Sequence, residues 1–329
     1  MAAGGDSCLD KFFFYAKAFR LLDYVIIVAA ALVIVYTMKS FQPFCRPFSW
    51  KDRTISYLKK SSTYPAVARY LIYFLPCAIF AVVEGIRALL AAKGEWYLDV
   101  QEPGPEPNAH TCPVEMVDVD TVRREAISDG GPVPYLKELP DTVAKRFSDR
   151  FLTFLEVSNY WILAHGFSVI LSICIVEMLK VYVGQLRPDF LDRLRRKGYN
   201  SSSTNVDWCN IGKKGRRSFP SGHSSCAFSG LTPLALYFLA LMRAFRGGSL
   251  VRPIIGLGPL YFAFVVAGSR VRDNRHHTSD IIAGSIIGFV SGIFSVKLLF
   301  RFSEGKAYLV PRRLEFASHH NGRIVADKA

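Results

Sequence analysis

Three polar clusters in this chain have residue types and spacings that suit the binding of a phosphoryl group. The first, KVYVGQLRP at 180–188, places a lysine and an arginine two helical turns apart. The second is FPSGH at 219–223, and the third is SRVRDNRHHTSD at 269–280. Cationic side chains neutralise phosphoryl oxygens, and arginine adds forked hydrogen bonds. The predicted phosphate-binding cations are Lys180, Arg187 and Arg270.

The second and third clusters also contain groups that could break a phosphate ester bond. His223 follows Ser221 and Gly222 at a predicted helix start, where backbone amides bind anions and glycine lets the backbone approach a ligand. His276 precedes Asp280 by four residues, a spacing that suits a hydrogen bond on a helix. Two histidines and a carboxylate can supply a nucleophile, a general acid and an orienting group.

Long apolar segments determine where these clusters lie. The hydrocarbon core of a bilayer, about 30 Å thick, needs about 20 mostly apolar residues per helical crossing. Six segments approach or exceed that length, so the sequence predicts an all-α integral membrane bundle of six transmembrane helices with an extramembrane active-site loop region. The predicted spans are 21–38, 66–92, 159–183, 223–244, 250–268 and 278–300.

Polar segments flank and interrupt the predicted bundle. We interpret residues 1–20 as an interfacial segment, residues 21–300 as the six-helix domain and residues 301–329 as a polar tail. A long polar loop at 93–157 carries thirteen acidic and seven basic residues. The first span resembles a signal peptide, but five further spans favour a retained helix. Glu84 and Arg87, inside the second span, could form either a functional or a structural pair.

The topology brings the three clusters together. The end of the third span, the start of the fourth, the end of the fifth and the start of the sixth must all lie on one membrane face. Taken singly, Lys180 could extend to the interface and either histidine could be an ordinary interfacial residue. Their arrival at topologically matched helix ends favours a shared site instead.

Composition narrows the remaining possibilities. The net charge is +14, but no nucleic-acid-binding motif is present, so we attribute the charge to membrane and phosphate chemistry. The seven cysteines form no CxxC pair and none shares metal-ligand spacing with a histidine, so we expect no metal and no cofactor. Cys45 and Cys209 fall in loops on the face of the site. They could pair in an oxidising compartment, although two unpaired thiols are the favoured expectation.

The clusters resemble the three motifs of the type 2 phosphatidic acid phosphatase superfamily. Residues 180–188 match KxxxxxxRP, residues 220–223 match PSGH, and residues 269–280 match SRxxxxxHxxxD. The similarity runs from about residue 159 to residue 300, and the local runs RRSFPSGHSS and RPDFLDR resemble the lipid phosphate phosphatases. The resemblance implies a membrane phosphatase that hydrolyses lipid phosphate monoesters or diphosphates without a metal.

The resemblance also implies a role for each motif residue. His276 would be the nucleophile and form a phosphohistidine, Asp280 would orient it, and His223 would act as general acid and base. Lys180, Arg187 and Arg270 would bind the phosphoryl oxygens. Ser221 and the amide of Gly222 would add neutral donors.

The orientation of the site is predicted from two opposing signals. Loop 184–222 carries nine lysines and arginines, which by the positive-inside rule would place it in the cytoplasm. The same loop holds a glycosylation sequon at Asn200, and the resemblance implies a lumenal or extracellular site. Because phosphate-binding cations contribute to the basic count, we favour the lumenal or extracellular side of an endomembrane or the plasma membrane.

Other functions remain open at this stage. A lipid phosphotransferase could use the same histidines and aspartate, with an alcohol in place of water. A non-enzymatic transporter would carry its charged residues near the bilayer midplane, whereas in this chain they lie at helix ends. A catalytically inactive lipid-phosphate binder would not need every catalytic residue, and all of them are present. The expected partners are a lipid phosphate and membrane lipids.

Overall fold

The computed structural model describes residues 19–64, 66–90, 132–133, 149–244, 249–302, 309–312, 315–316, 318–320 and 323–325, together with residues 12 and 16. The predicted segment 1–20, loop 93–157 and tail 301–329 lie largely outside these residues, so they remain predictions. Most of the described chain is helical, which confirms the all-α class.

Nine α-helices are present in the described ranges. They are α1 (Leu21–Ser40), α2 (Ala66–Leu90), α3 (Asp149–Val183), α4 (Phe190–Arg195), α5 (Trp208–Ile211), α6 (Gly222–Leu241), α7 (Val251–Gly256), α8 (Gly258–Arg272) and α9 (Thr278–Leu299). Single 3₁₀ turns occur at Arg53–Ile55 and Lys213–Arg216.

Short antiparallel strand pairs complete the described structure. β1 (Pro132–Val133) pairs with β4 (Glu315–Phe316), β2 (Phe300–Phe302) with β3 (Leu309–Pro311), and β5 (Ser318–His320) with β6 (Arg323–Val325).

Five helices in the described ranges are long and apolar enough to cross a membrane: α1, α2, α3, α6 and α9. The predicted fifth span differs, because it is divided at Leu257 into α7 and the 15-residue α8. Pro259 explains the break: it lacks the N–H that would continue a helix from α7, but it is well accommodated in a first helical turn. Two short helices therefore cover the predicted fifth span, and neither of them is among the five helices long enough to cross a membrane.

Helix α3 begins ten residues before the predicted start of the third span, at Asp149. The sequence analysis assigned the residues up to 157 to a polar loop. In the structure Glu156 and Ser158 are buried inside the bundle, so the helix continues through them.

Helix α6 lies at the centre of the bundle and packs against α2, α3, α8 and α9. The closest approach is to α9, which presents Gly284, Gly288 and Gly292 to α6 at intervals of four residues. A methyl group on any of them would collide with α6 or its cap, meeting the backbone at Ser221 and Ser225 or the side chain of Thr232. Small residues at this spacing let two helix backbones pack closely in a membrane, and here they bring the start of α9 against the start of α6.

The loops beyond the helix ends form a second small core. Ile55, Leu186, Phe190, Leu191 and Leu194 are buried there, beneath a cluster of aromatic rings from loops 41–64 and 184–221. Apolar burial therefore joins the two loops into one cap over the bundle.

A disulfide between Cys45 and Cys209 links the same two loops, with the Cα atoms 5.4 Å apart. The expectation of two unpaired thiols is wrong. A separation of 164 residues hid the proximity, because the shared aromatic core that brings the loops together cannot be derived from local spacing.

Several basic residues of loop 184–221 hold this cap on the end of α1. Arg217 Nη2 donates to the carbonyl of Met38 at 2.5 Å, and Lys213 Nζ donates to the carbonyl of Ser40 at 3.4 Å. Cations are favoured at a helix C-terminus because the last carbonyls carry partial negative charge. Part of the positive charge of this loop therefore has a structural use.

Candidate active site

The start of α9 and the chain before α6 meet around His276. The Nδ1 atom of His276 lies 2.8 Å from the carbonyl oxygen of Ser218. Because a carbonyl can only accept a hydrogen bond, the imidazole carries its proton on Nδ1, and Nε2 keeps its lone pair. Burial lowers the pKa of His276 to about 4, against a smaller opposing effect of Asp280. At neutral pH the ring is therefore an uncharged imidazole with a free Nε2.

Asp280 supports this arrangement indirectly. Its Oδ2 accepts hydrogen bonds from the Ser218 hydroxyl at 2.6 Å and from the backbone N–H of His277 at 2.9 Å. The distance from Oδ2 to Nδ1 of His276 is 3.6 Å, longer than a hydrogen bond. The carboxylate thus holds Ser218, and the carbonyl of Ser218 holds His276. Ser218, which precedes the matched PSGH residues by two positions, was not among the predicted site residues.

Ser221 and Gly222 form the start of α6 as predicted. The Ser221 hydroxyl accepts from the backbone N–H of Ser224, and the Ser221 N–H donates to the carbonyl of Asp280 at 2.8 Å. A methyl group on Gly222 would lie 3.0 Å from Lys180 Nζ, so this ammonium group packs directly against the glycine. The absence of a side chain at residue 222 thus makes room for the cation.

The end of α3 supplies the cations nearest the histidines. Lys180 Nζ is paired with Glu177 at 2.5 Å, one helical turn earlier, and Glu177 was not among the predicted site residues. Arg187 Nη2 donates to the carbonyl of Arg217 at 3.3 Å, while its Nε is buried and has no hydrogen-bond partner among the described residues. Burial lowers the pKa of Arg187 to about 10, which leaves it charged at neutral pH.

Arg270 lies behind the two histidines and does not take the phosphate-binding position that was predicted for it. Its guanidinium is buried, donates to the hydroxyls of Ser62 and Ser269 at 2.9 Å each, and lies 3.0 Å from Asp273. It does not line the cavity that contains the histidines.

The neighbours of Arg270 in the third cluster bind the same loop, residues 58–64. Asp273 accepts from the backbone N–H and the hydroxyl of Thr63 at 2.8 and 2.6 Å. Burial would raise the pKa of Asp273, but the Thr63 hydrogen bonds and the Arg270 charge lower it more, so it stays below its usual value. Arg275 Nη2 donates to the carbonyl of Lys60 at 2.7 Å. The third cluster thus fixes this loop as well as carrying His276.

The histidines open into a cavity of about 540 Å³, here called the histidine cavity. Of the predicted site residues, Lys180, Arg187, Gly222, His223 and His276 line it, whereas Ser221, Asp280 and Arg270 lie behind its wall.

The rest of the histidine cavity is largely apolar. Its walls include Val28, Ala31, Leu32 and Val35 of α1 and Ile170, Ile173 and Val176 of α3. Two further cations, Lys39 and Arg69, also line it, and sequence reasoning had no signal for them because they belong to none of the three clusters. A cavity with an apolar wall and a few convergent polar groups suits an amphipathic ligand with an anionic end.

Comparison with known proteins gives a consistent result. The family description PAP2 superfamily matches residues 161–304, which include all three clusters. A putative phosphatidate phosphatase of Drosophila melanogaster is 29% identical over 313 residues, covering 88% of this chain and 71% of that protein. Lipid phosphate phosphatase 2 of Arabidopsis thaliana is 38% identical over 144 residues, covering 41% of this chain and 49% of that protein.

A probable diacylglycerol pyrophosphate phosphatase of Schizosaccharomyces pombe is 35% identical over 168 residues, covering 48% of this chain and 54% of that protein. The chain thus spans about half the length of most curated relatives that it matches. No solved structure matches it.

Proposed function

Because this chain belongs to the lipid phosphate phosphatase family of the PAP2 superfamily, we propose that it is a membrane phosphatase that hydrolyses the phosphomonoester or diphosphate group of a lipid. The observation that carries this proposal is the neutral His276, which lines one cavity with His223, Lys180 and Arg187 and whose Nε2 has no hydrogen-bond partner among the described residues. The apolar wall of the same cavity suits the lipid part of the substrate.

The first step of the proposed reaction transfers the phosphoryl group to the enzyme. The Nε2 lone pair of His276 attacks phosphorus and forms an N–P bond while the P–O bond to the lipid breaks. His223 gives a proton to the leaving oxygen, so the lipid departs as an alcohol. The proton on Nδ1 stays hydrogen-bonded to Ser218, and this bond stabilises the positive charge that develops on the ring.

The second step returns the enzyme to its starting state. His223 removes a proton from water, the water oxygen attacks phosphorus, and the N–P bond breaks to release phosphate and neutral His276. Lys180 and Arg187 are the cations placed to neutralise the phosphoryl oxygens in both steps, and the Gly222 amide at the start of α6 is a further donor. We assign Arg270 to charge support from behind the cavity and to loop positioning, because Ser62, Ser269 and Asp273 occupy its guanidinium.

We propose that these cations do the work that a metal ion does in other phosphatases. The test is phosphate release from phosphatidate by the purified full-length protein in detergent, with EDTA present. We expect full turnover in EDTA and none from His276→Ala. Loss of turnover in EDTA that magnesium restores would overturn metal independence.

We further propose that the site faces the lumen or the extracellular space. The Cys45–Cys209 disulfide joins the two loops around the site, and disulfides persist in oxidising compartments. Asn200 is exposed in the same loop, and its Oδ1 accepts from the N–H of Ser202, the sequon serine. The test is a glycosidase-sensitive mass shift of the protein from eukaryotic membranes, absent from Asn200→Gln. An unshifted protein, together with an Asn200→Cys variant that a membrane-impermeant maleimide labels only from the cytoplasmic side, would contradict this orientation.

A further inference from the structure

A second concave surface lies in the cap, away from the histidines. It has a volume of about 260 Å³ and shares no lining residue with the histidine cavity. It is formed by α4, the segment 211–215 and Lys59 of the preceding loop, and is here called the basic cavity.

Every titratable residue that lines the basic cavity is cationic: Lys59, Arg193, Arg196, Lys197 and Lys214. Each of the two neighbouring carboxylates pairs with one of these arginines, while the second oxygen of Asp189 is buried without a hydrogen-bond partner among the described residues. Asp189 accepts from Arg193 Nε at 2.7 Å, and Asp192 accepts from Arg196 Nε at 2.8 Å and from the backbone N–H of Lys59 at 2.9 Å. After these pairs a net positive charge remains, and like charges converge on one small volume. Such an arrangement is unfavourable unless an anion compensates it.

Hydrogen-bond donors in the basic cavity also remain unused. Arg193 Nη2 is buried and has no hydrogen-bond partner within the described residues. Lys59 and Lys214 are exposed, and neither ammonium group makes a hydrogen bond in the part of the chain that the structure describes. Like Arg187 Nε at the histidine cavity, this buried guanidinium nitrogen has no acceptor among the described residues, and a bound oxyanion would supply one.

The floor of the basic cavity is rigid, which distinguishes it from an ordinary solvated basic face. A methyl group on Gly212 or Gly215 would meet the ring of Phe190 at 3.0 and 2.6 Å, so the backbone lies directly on this buried side chain. The guanidinium of Arg216 covers the same ring, 5.3 Å from its centroid. The disulfide at Cys209 anchors the chain immediately before the segment. The cations therefore project from a fixed surface, which lowers the entropic cost of binding.

We propose that the basic cavity is a second binding site, specific for an oxyanion of the phosphate class and separate from the site of hydrolysis. Arg193 Nη2 is the buried donor, and Lys59 and Lys214 supply the mobile charges at the rim. The ligand is a phosphate group, either as the free ion or as the headgroup of an anionic lipid. This proposal does not depend on the proposed hydrolysis.

The test uses labelled sulfate as the probe, in equilibrium dialysis of the detergent-purified full chain at constant ionic strength. The variant Lys59→Gln with Lys214→Gln removes two charges from the basic cavity. The matched control, Lys51→Gln with Arg53→Gln, removes two exposed charges from the same loop region outside the cavity. Sulfate bound in the histidine cavity contributes equally to the wild type, the cavity variant and the control. The difference in sulfate bound per chain therefore measures the second site.

We expect the cavity variant to bind one sulfate per chain fewer than both the wild type and the control, while its hydrolysis of a lipid phosphate stays at the wild-type rate. Equal sulfate binding by all three proteins would overturn the proposal. A second arm identifies the source of the ligand by reconstitution into phosphatidylcholine vesicles with or without phosphatidylserine. Loss of the variant-sensitive sulfate only with phosphatidylserine assigns the site to a lipid headgroup, and retention assigns it to the free ion.

Discussion

At the scale of single residues, His276 and His223 differ in what holds them. His276 is fixed by the Ser218 carbonyl, with Asp280 behind it. His223 lies in the first turn of α6 with no acidic residue between Pro220 and Ala227. The surroundings therefore favour His276 as nucleophile and His223 as the group that protonates the leaving oxygen.

The two histidines should respond differently to substitution. We expect His276→Ala to abolish both turnover and any covalent phosphoenzyme. His223→Ala should lose about 10²–10⁴-fold on a lipid substrate and much less on an aryl phosphate, whose leaving group needs little protonation. His277→Gln, which keeps a donor for the Leu186 carbonyl, is the control. The measurement is trapping of base-stable, acid-labile phosphate; label retained on His276→Ala but absent from His223→Ala would reverse the assignment.

The pKa of His276 gives a second expectation. Because burial lowers this pKa to about 4, from an ordinary value near 6.5, the nucleophile stays unprotonated well below neutral pH. We expect the rate of phosphoenzyme formation from an aryl phosphate to fall only as the pH approaches 4, after correction for ionisation of the substrate itself. An acid limb near 6.5 in the corrected profile would contradict the burial of the ring.

The same shift has a consequence for stability, and its sign follows from proton uptake. Between pH 6.5 and 4 the unfolded chain binds a proton at residue 276 that the folded chain does not. The contribution of His276 to the free energy of unfolding is therefore fully present above 6.5 and is lost as the pH falls through 4. Thermal melts of wild type and His276→Ala should diverge less at pH 4 than at pH 7.

At the scale of helices, the contact between α9 and α6 determines whether the site assembles. His276 lies just before α9 and Asp280 in its first turn, while Ser218 and Ser221 precede α6 and His223 lies in its first turn. The glycine stripe of α9 lets the two helices approach closely enough for Asp280 to accept from the Ser218 hydroxyl.

Gly288→Ala tests this contact. The added methyl group would collide with backbone atoms of Ser225 and Ser229 in α6, so we expect a loss of about 1–3 kcal/mol in the free energy of unfolding and lower activity. Gly166→Ala in α3 is the matched control, since nothing lies within 4 Å of its added methyl group. Alanine is the better helix former, so the control should be neutral or stabilised by up to about 1 kcal/mol. Thermal unfolding in detergent measures both, and equal melting temperatures would count against the glycine contact.

At the scale of the whole molecule, the cap over the bundle is joined both by its aromatic core and by the Cys45–Cys209 disulfide. The disulfide joins cysteines 164 positions apart, and the segment between them contains α2, α3 and α4. The disulfide thus connects the loop that follows α1 to the loop that contains Ser218, whose carbonyl oxygen binds His276.

Reduction should therefore loosen the site without unfolding the helices. We expect dithiothreitol to lower both the melting temperature and the activity of the wild type, since a native disulfide typically contributes about 2–4 kcal/mol to the free energy of unfolding. The double variant Cys45→Ser with Cys209→Ser should not respond to dithiothreitol, because it has already lost the bond. Cys77→Ser, which alters an unpaired thiol in α2, should behave as wild type. Recovery of Cys45 and Cys209 as free thiols by non-reducing peptide mapping of native membranes would contradict the bond.

The amino-acid sequence was enough to predict the membrane class, five of the six predicted spans to within a few residues at most ends, and the meeting of the three clusters at one end of the bundle. These predictions follow from local properties of the sequence. A bilayer requires apolar segments of a minimum length, and each crossing takes the chain to the opposite side of the membrane. The early start of α3 and the break at Leu257 were missed, since burial of Glu156 and Ser158 and the fit of Pro259 depend on neighbouring helices.

The contacts that hold the site residues in place became visible only in the folded chain. Ser218 between Asp280 and His276, Glu177 beside Lys180, Arg270 behind the cavity and the Cys45–Cys209 bond all join residues through contacts between separate elements or through particular side-chain rotamers. Spacing along the chain specifies which residues can share a helix face. It does not specify which of several nearby donors and acceptors will pair, because that depends on the distances that packing between helices and loops creates.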